Sequence, residues 1–138
     1  MRTASVLMVL ACLLPGCSGA KVGSVSGKVT LDGKPLANAR VNFQPMGDTV
    51  NTGIGSFGKA DANGQYTLSL IDGSATGAIV GKHKVAISAY DQDPNVNAAD
   101  DRKKGPADRV PLKYNVKTEL IFDVRAGDNT ANFDLKSR

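Results

Sequence analysis

From Val25 onward the apolar residues of this chain recur at every second position, in short runs separated by turn formers. Successive side chains of an extended backbone point to opposite faces, so a period of two reads as a strand with one face buried. Val25, Val29 and Leu31 share one parity, while Ser26, Lys28 and Thr30 take the other. Ala39, Val41 and Phe43 alternate with Arg40, Asn42 and Gln44, and Pro45 ends that run. A weak strand is expected near Gly55–Ala60. Tyr66, Leu68 and Leu70 alternate with Gln65, Thr67 and Ser69. His83, Val85, Ile87 and Ala89 follow, then Leu120, Phe122 and Val124, then Ala131, Phe133 and Leu135.

The connections carry turn chemistry: Asp32-Gly33-Lys34-Pro35, Asp61-Ala62-Asn63-Gly64 and Ala126-Gly127-Asp128-Asn129. Ile71 to Gly81 is a connection of mostly small residues, and Asp91 to Asp108 is a long polar loop. Val110-Pro111-Leu112 reads as a short extended segment that the proline confines to an edge or to no strand at all. Six or seven short strands with turns between them and no helical stretch predict an all-β sandwich. The inward set is Val25, Val29, Leu31, Val41, Phe43, Tyr66, Leu68, Leu70, Val85, Ile87, Leu120, Phe122, Val124, Phe133 and Leu135.

The first seventeen residues are of another kind. Arg2 is followed by an apolar, uncharged run from Ala4 to Leu14, broken only by Ser5, and then by Leu14-Pro15-Gly16-Cys17. A short positive start, an apolar stretch and a small residue before the cut describe a secretory signal. The run is too short for a stable spanning helix, which needs about 20 residues. Leu14-Pro15-Gly16-Cys17 resembles the lipobox of bacterial lipoproteins. That resemblance implies cleavage before Cys17, S-acylation of Cys17 with palmitate-like chains, and acylation of the new N-terminus. One acyl chain holds a protein to a bilayer only marginally, whereas two or three hold it durably.

The expected organisation is a signal peptide over residues 1–16, a lipidated N-terminus and tether over 17–24, and one sandwich domain over 25–138. The mature chain of about 120 residues is one domain by size and can bury roughly two thirds of its unfolded surface. Cys12 lies in the cleaved segment and Cys17 is the lipid site, so no thiol remains for a disulfide or a cysteine metal site. The net charge is +4, or +3 without Arg2, with both signs interspersed. The basic triplet Arg102-Lys103-Lys104 follows Asp100-Asp101 directly and reads as a solvated loop. Aromatic residues make up 5% and tryptophan is absent, which argues against the basic, aromatic-studded stripe of a nucleic-acid binder.

The order of the pieces is itself familiar. Val25 to Phe43 resembles the opening "xVxGxVTxxGxPLxxAxVxF" of carboxypeptidase regulatory-like domains. Lys59 to Leu68 is similar to their "TDxxGxYxL" segment, and Gly81 to Ser88 to their "GxYxVxVS" strand, with His83 in place of the usual aromatic residue. Lys113-Tyr114-Asn115, Leu120 to Val124, Gly127, Asn129 and Phe133-Asp134-Leu135 resemble the ending found in small bacterial envelope lipoproteins of this kind, with Thr118 near the usual serine. The resemblance implies a transthyretin-like (prealbumin-like) Greek-key sandwich of about seven strands, without catalytic residues or cofactor. Enzymes on related sandwiches need several histidines, or paired tyrosine and histidine ligands for iron. This chain has one histidine and ends Leu135-Lys136-Ser137-Arg138.

Three places invite a sharper reading. Asp61-Ala62-Asn63-Gly64 begins like a calcium loop, but its glycine stands at the fourth position rather than the sixth, so a hairpin turn with Gly64 at positive φ is expected. Asp91, Asp93, Asn95 and Asn97 place oxygens at alternate positions, with Asp100 and Asp101 behind them. There Val96 occupies the glycine position and Arg102 that of the bidentate glutamate, so a calcium-dependent adhesion site over Asp91–Asp101 is the alternative and a solvated loop the expectation. His83 shares parity with Val85 and Ile87 and is expected to pack at the end of the core; a hydrolase or metal enzyme centred on it is the weaker alternative.

The expected protein is therefore a non-catalytic envelope lipoprotein, held to the membrane by its N-terminal lipid. It would contact envelope proteins or polysaccharide through the Asp48–Ser56 and Asp91–Asp108 loops or through an exposed edge strand. No metal and no nucleic acid are expected. Ser18 is not the aspartate that retains lipoproteins in the inner membrane of well-studied Gram-negative bacteria, which points to the outer membrane.

Overall fold

The computed structural model describes residues 20–47, 53–90 and 108–138. The chain is an all-β sandwich of two sheets. Its elements are β1 (Val22–Leu31), β2 (Lys34–Pro35), β3 (Arg40–Pro45), β4 (Ser56–Lys59), β5 (Gln65–Thr67), β6 (Ser69–Leu70), β7 (Ala78–Ile79), β8 (Gly81–Ser88), β9 (Ile121–Val124), β10 (Asp128–Thr130) and β11 (Phe133–Leu135). One 3-10 turn spans Leu112–Tyr114.

The first sheet is built around β1. Along one side run β7, β5 and β2, antiparallel to it; along the other run β10 and β11, parallel to it. The second sheet has the order β6-β4-β3-β8-β9, antiparallel throughout. Within it β3, β4 and β6 are neighbours in turn and β8 returns to lie beside β3, which is Greek-key order. Gln65 to Leu70 serves both sheets: β5 pairs with β1, and after Leu68 the same run pairs with β4 as β6. That change of partner closes one side of the sandwich.

The period-two reading holds residue by residue. Val25, Val29, Val41, Phe43, Leu68, Val85, Ile87, Val124 and Leu135 are all at most 2% exposed, and Tyr66 and Leu70 are buried as well. Leu31, Leu120, Phe122 and Phe133 are partly buried against the same cluster. Leu36, Ala39, Ala60, Ala78, Ala89, Val110 and Ala131 complete it. Phe43 is central, with the rings of His83 and Phe122 each 5.7 Å away and that of Phe133 at 6.3 Å.

Several expectations need correction. β1 opens at Val22, so residues 22–24 belong to the sandwich and not to a tether. The connection Ile71–Gly81 contains β7, whose Ala78 is fully buried beside Gly23 of β1. Val110-Pro111-Leu112 forms no strand, the second of the two expected outcomes: Pro111 is extended at φ −58° and ψ 147° and caps the 3-10 turn that begins at Leu112. Asp128 and Asn129 lie in β10 rather than in the turn before it. Asp32 and Gly33, at φ 51° and 81°, form a two-residue hairpin loop between β1 and β2, where the mirror-image turn demands positive φ at both positions.

One departure from regular pairing organises the first sheet. In a parallel ladder, the residue that donates to the Ser26 carbonyl would also accept from the Lys28 N–H. Ala131 donates to Ser26 at 2.8 Å, but its own carbonyl turns into the core and accepts the Tyr66 hydroxyl at 2.6 Å. The Asn132 side chain takes over, its Oδ1 accepting the Lys28 N–H at 2.9 Å. Tyr66 stands opposite Gly27. Its side chain reaches across β1 there, and a Cβ on residue 27 would lie 1.8 Å from the Ala131 oxygen. Glycine is therefore required by close approach rather than by backbone angle.

Gly27→Ala is accordingly expected to force the last strand away from β1 and to lower unfolding stability by about 2 kcal/mol or more, in the range of overpacked cores. Urea unfolding followed by tyrosine fluorescence checks it.

Candidate functional site

His83 lies on β8 opposite Pro45 of β3 and is fully buried. Its Nδ1 is 3.0 Å from the Gly81 carbonyl, which can only accept, so Nδ1 carries the proton. Nε2 is left without a partner, as is the buried Ser56 hydroxyl on β4. Burial pushes the His83 pKa below its ordinary value, against the opposing influence of the Gly81 carbonyl and the Asp123 charge. The ring thus packs neutral against Phe43. Among the described residues, no three of His, Cys, Asp and Glu stand close enough to hold a metal ion.

Asp61 builds the expected turn. Its Oδ1 accepts the N–H groups of Asn63 and Gln65 at 2.8 and 3.0 Å, and Gly64 sits at φ 76°. Gly64 also hands its carbonyl to the Val29 N–H at 2.8 Å, which ties the turn to β1. Asp91–Asp101 and Arg102-Lys103-Lys104 lie outside the described residues, as does Cys17. Of the Asp48–Ser56 loop, residues 53–56 are described.

Asp108, where the long polar segment returns to the sandwich, is more than a loop end. Its Oδ1 accepts the N–H groups of Ala89 and Val110, both at 2.9 Å, and its Oδ2 accepts Asn115 Nδ2 at 3.0 Å. The Arg109 N–H donates to the Ala89 carbonyl at 2.9 Å. One carboxylate therefore fixes the end of β8, the bend at Val110 and the segment after the 3-10 turn together. Asn129 plays the matching role at the other end of the sandwich, accepting from Arg125 N and donating to the carbonyls of Ser24 and Arg125. Thr118 hydrogen-bonds the Val85 carbonyl at 2.6 Å, and the Tyr114 hydroxyl accepts the Lys136 N–H at 3.1 Å. The Tyr114, Asn115, Thr118 and Asn129 positions noted in the sequence thus serve to join backbone segments.

One open concavity lies on a sheet face. A cleft of about 510 Å³ runs over the outer side of the first sheet. Its floor is two cross-strand rows: Thr67, Ser26 and Thr130, then Gln65, Lys28 and Asn132. Lys59 and Asp61 form its rim. Beside it Ser24 donates to Asp128 at 2.6 Å and Thr30 to Asp134 at 2.7 Å. The Thr30 hydrogen bond and Lys136 hold the Asp134 carboxyl below the usual carboxylate range. Hydroxyls and amides, with the ammonium groups of Lys28 and Lys59 and the Asp61 carboxylate, suit a hydroxylated ligand laid across the strands; an apolar ligand would need an enclosed, apolar-lined pocket. Sequence reasoning assigned these outward residues to solvent. The signal was present in their composition, because the outward face of β1 is Ser24, Ser26, Lys28 and Thr30 with a single charge.

Two outcomes follow. The unfolded chain protonates its histidine near pH 6.5, above the folded pKa, so stability is flat above that pH and declines as pH falls below it. His83→Phe should abolish this acid limb in urea midpoints taken from pH 8 to 5, leaving the separate loss below about pH 4 that depressed aspartates such as Asp134 contribute. Asp108→Ala should cost about 2 kcal/mol, since hydrogen bonds to a charged acceptor are lost together. Amide exchange should accelerate at Ala89 and Val110, whose N–H groups bond Asp108, while the Lys28 amide stays protected.

No protein-family model and no curated protein matches the chain. Among solved structures it is similar to a DUF3823 family protein from Parabacteroides merdae, a β-rich protein, with a TM-score of 0.46 and 10% sequence identity over 84% of this chain and 46% of that one. The chain therefore spans about half the length of that neighbour.

Proposed function

We propose that this protein is a lipid-anchored, non-catalytic module of the bacterial envelope, built like a carboxypeptidase regulatory-like domain, that binds a hydroxylated polymer such as an envelope polysaccharide. The observation that carries the binding half is the cleft floored by Thr67, Ser26, Thr130, Gln65, Lys28 and Asn132. These side chains offer donors and acceptors at strand spacing, on a face that the core does not use. The anchor half rests on Leu14-Pro15-Gly16-Cys17. The reading without catalysis is supported by a lone histidine turned into the core with Nδ1 committed to a carbonyl. Ser18, in place of the inner-membrane retention aspartate, supports placement in the outer membrane.

Two measurements test the halves separately. Protein from native membranes should give an N-terminal mass beginning at acylated Cys17, and Cys17→Ser should move it to the soluble fraction; an unmodified soluble chain overturns the anchor. Isolated envelope polysaccharide should shift the amide signals of Ser26, Thr67 and Thr130, and Lys28→Glu with Asn132→Asp should weaken binding about tenfold or more, the scale of one to two lost polar contacts. Shifts confined to other faces overturn the cleft.

A further inference from the structure

Apart from Phe57 and Ile121, which lie on the outer face of the second sheet opposite Asn42 and Lys84, the strand register sorts the exposed apolar side chains by end. β1 starts at Val22, and Lys21 just before it accepts the Val80 N–H at 2.8 Å. β3 arrives at this end with Pro45 opposite His83, and the next residue, Met46, donates to the Lys82 carbonyl at 2.8 Å. Here too the Ile71 N–H meets the Gly55 carbonyl at 3.0 Å, next to Ile54. Met46, Ile54, Ile71 and Val80 are 46%, 39%, 63% and 37% exposed. Four large apolar side chains thus crowd the end from which the chain leads back to Cys17.

We propose that this end of the sandwich rests on the lipid bilayer, with Met46, Ile54, Ile71 and Val80 inserted among the headgroups. The inference relies on the lipidated Cys17 of the proposed function. Four residue steps separate Cys17 from Lys21, and a fully extended chain advances about 3.5 Å per step, so Lys21 stands within about 14 Å of the acylated cysteine. The headgroup layer of one leaflet is itself about 5–8 Å deep. The tether therefore holds this end, and no other, at the interface. Exposure by itself does not choose the end, because Tyr90, Leu112 and Val116 are exposed toward the opposite side. The charges do not call for anionic lipid: Lys21, Lys82 and Arg125 are matched by Asp72, Asp123 and Asp128. The contact is apolar and proceeds on a zwitterionic membrane. The sandwich then stands on end, with the polar cleft opening sideways and Asp108 directed outward.

The chain has no tryptophan, so a single introduced one reports its own depth. Val80→Trp, Ile71→Trp and Leu112→Trp proteins are purified from membranes, their N-terminal masses recorded, and each is reconstituted into phosphatidylcholine vesicles containing brominated lipid. Expected are a blue-shifted emission and at least threefold stronger quenching at positions 80 and 71 than at 112. Both persist at about 1 M salt, where the Debye length is only about 3 Å. The two near-end reporters cover each other should one variant misfold. Equal quenching at both ends, or stronger quenching at 112, in protein of acylated mass overturns the inference while leaving the anchor intact. An unacylated mass overturns the anchor. The same proteins are then coupled through Cys17 to a maleimide lipid, and the same comparison decides the membrane contact by itself.

Discussion

The Tyr66 hydroxyl on the Ala131 carbonyl, reached across Gly27, is the constraint on which the first sheet depends. The bond joins β5 to the link between β10 and β11 across β1, so three segments far apart in sequence are held at one point. Burial pushes the Tyr66 pKa well up, and the hydroxyl remains a donor through the accessible pH range. Turning one carbonyl inward leaves the Lys28 N–H without its ladder partner, and Asn132 supplies the replacement. Residues 27, 66, 131 and 132 therefore form a single solution. A side chain on residue 27 removes the room that the other three require.

The two faces of that sheet have separate duties. The inward face is apolar and stapled; the outward face is a lattice of Ser, Thr, Asn and Gln around Lys28. Asn132 serves both, since its side chain repairs the ladder and lines the cleft. The polar face is thus coupled to the buried tyrosine by the backbone between residues 130 and 133. Asp108 and Asn129 act as polar clamps at opposite ends of the sandwich, each bonding backbone groups of more than one segment. A chain without disulfides in its sandwich gains from such side-chain-to-backbone bonds, because each one also satisfies groups that short strands leave unpaired.

Much of the fold was legible because parity is local. Whether Phe43 or Asn42 faces the core depends only on neighbours one residue away, and every residue read as inward-facing is buried or partly buried. The turns were legible for the same reason: Asp61 and Gly64 act within five residues of each other. Ala78 and Val110 escaped notice because each lies in a short segment with no alternation to reveal it, and its burial comes from strands far away in the chain. Thr118 and Asn115 stood in a motif, but nothing local says that their partners are the Val85 carbonyl and Asp108.

The sequence by itself determined the strand class, the inward face of each strand, the turn positions and the absence of cysteine from the sandwich, because these follow from period, residue chemistry and composition. Only the tertiary structure decided that β10 and β11 run parallel to β1, that Gln65–Leu70 divides between two sheets, and that β1 begins at Val22. The cleft belongs to this second group. Ser26, Thr67 and Thr130 become one row through backbone hydrogen bonds from β1 to strands that are about 40 and 100 residues away, and a pairing of that reach leaves no periodic mark in the chain.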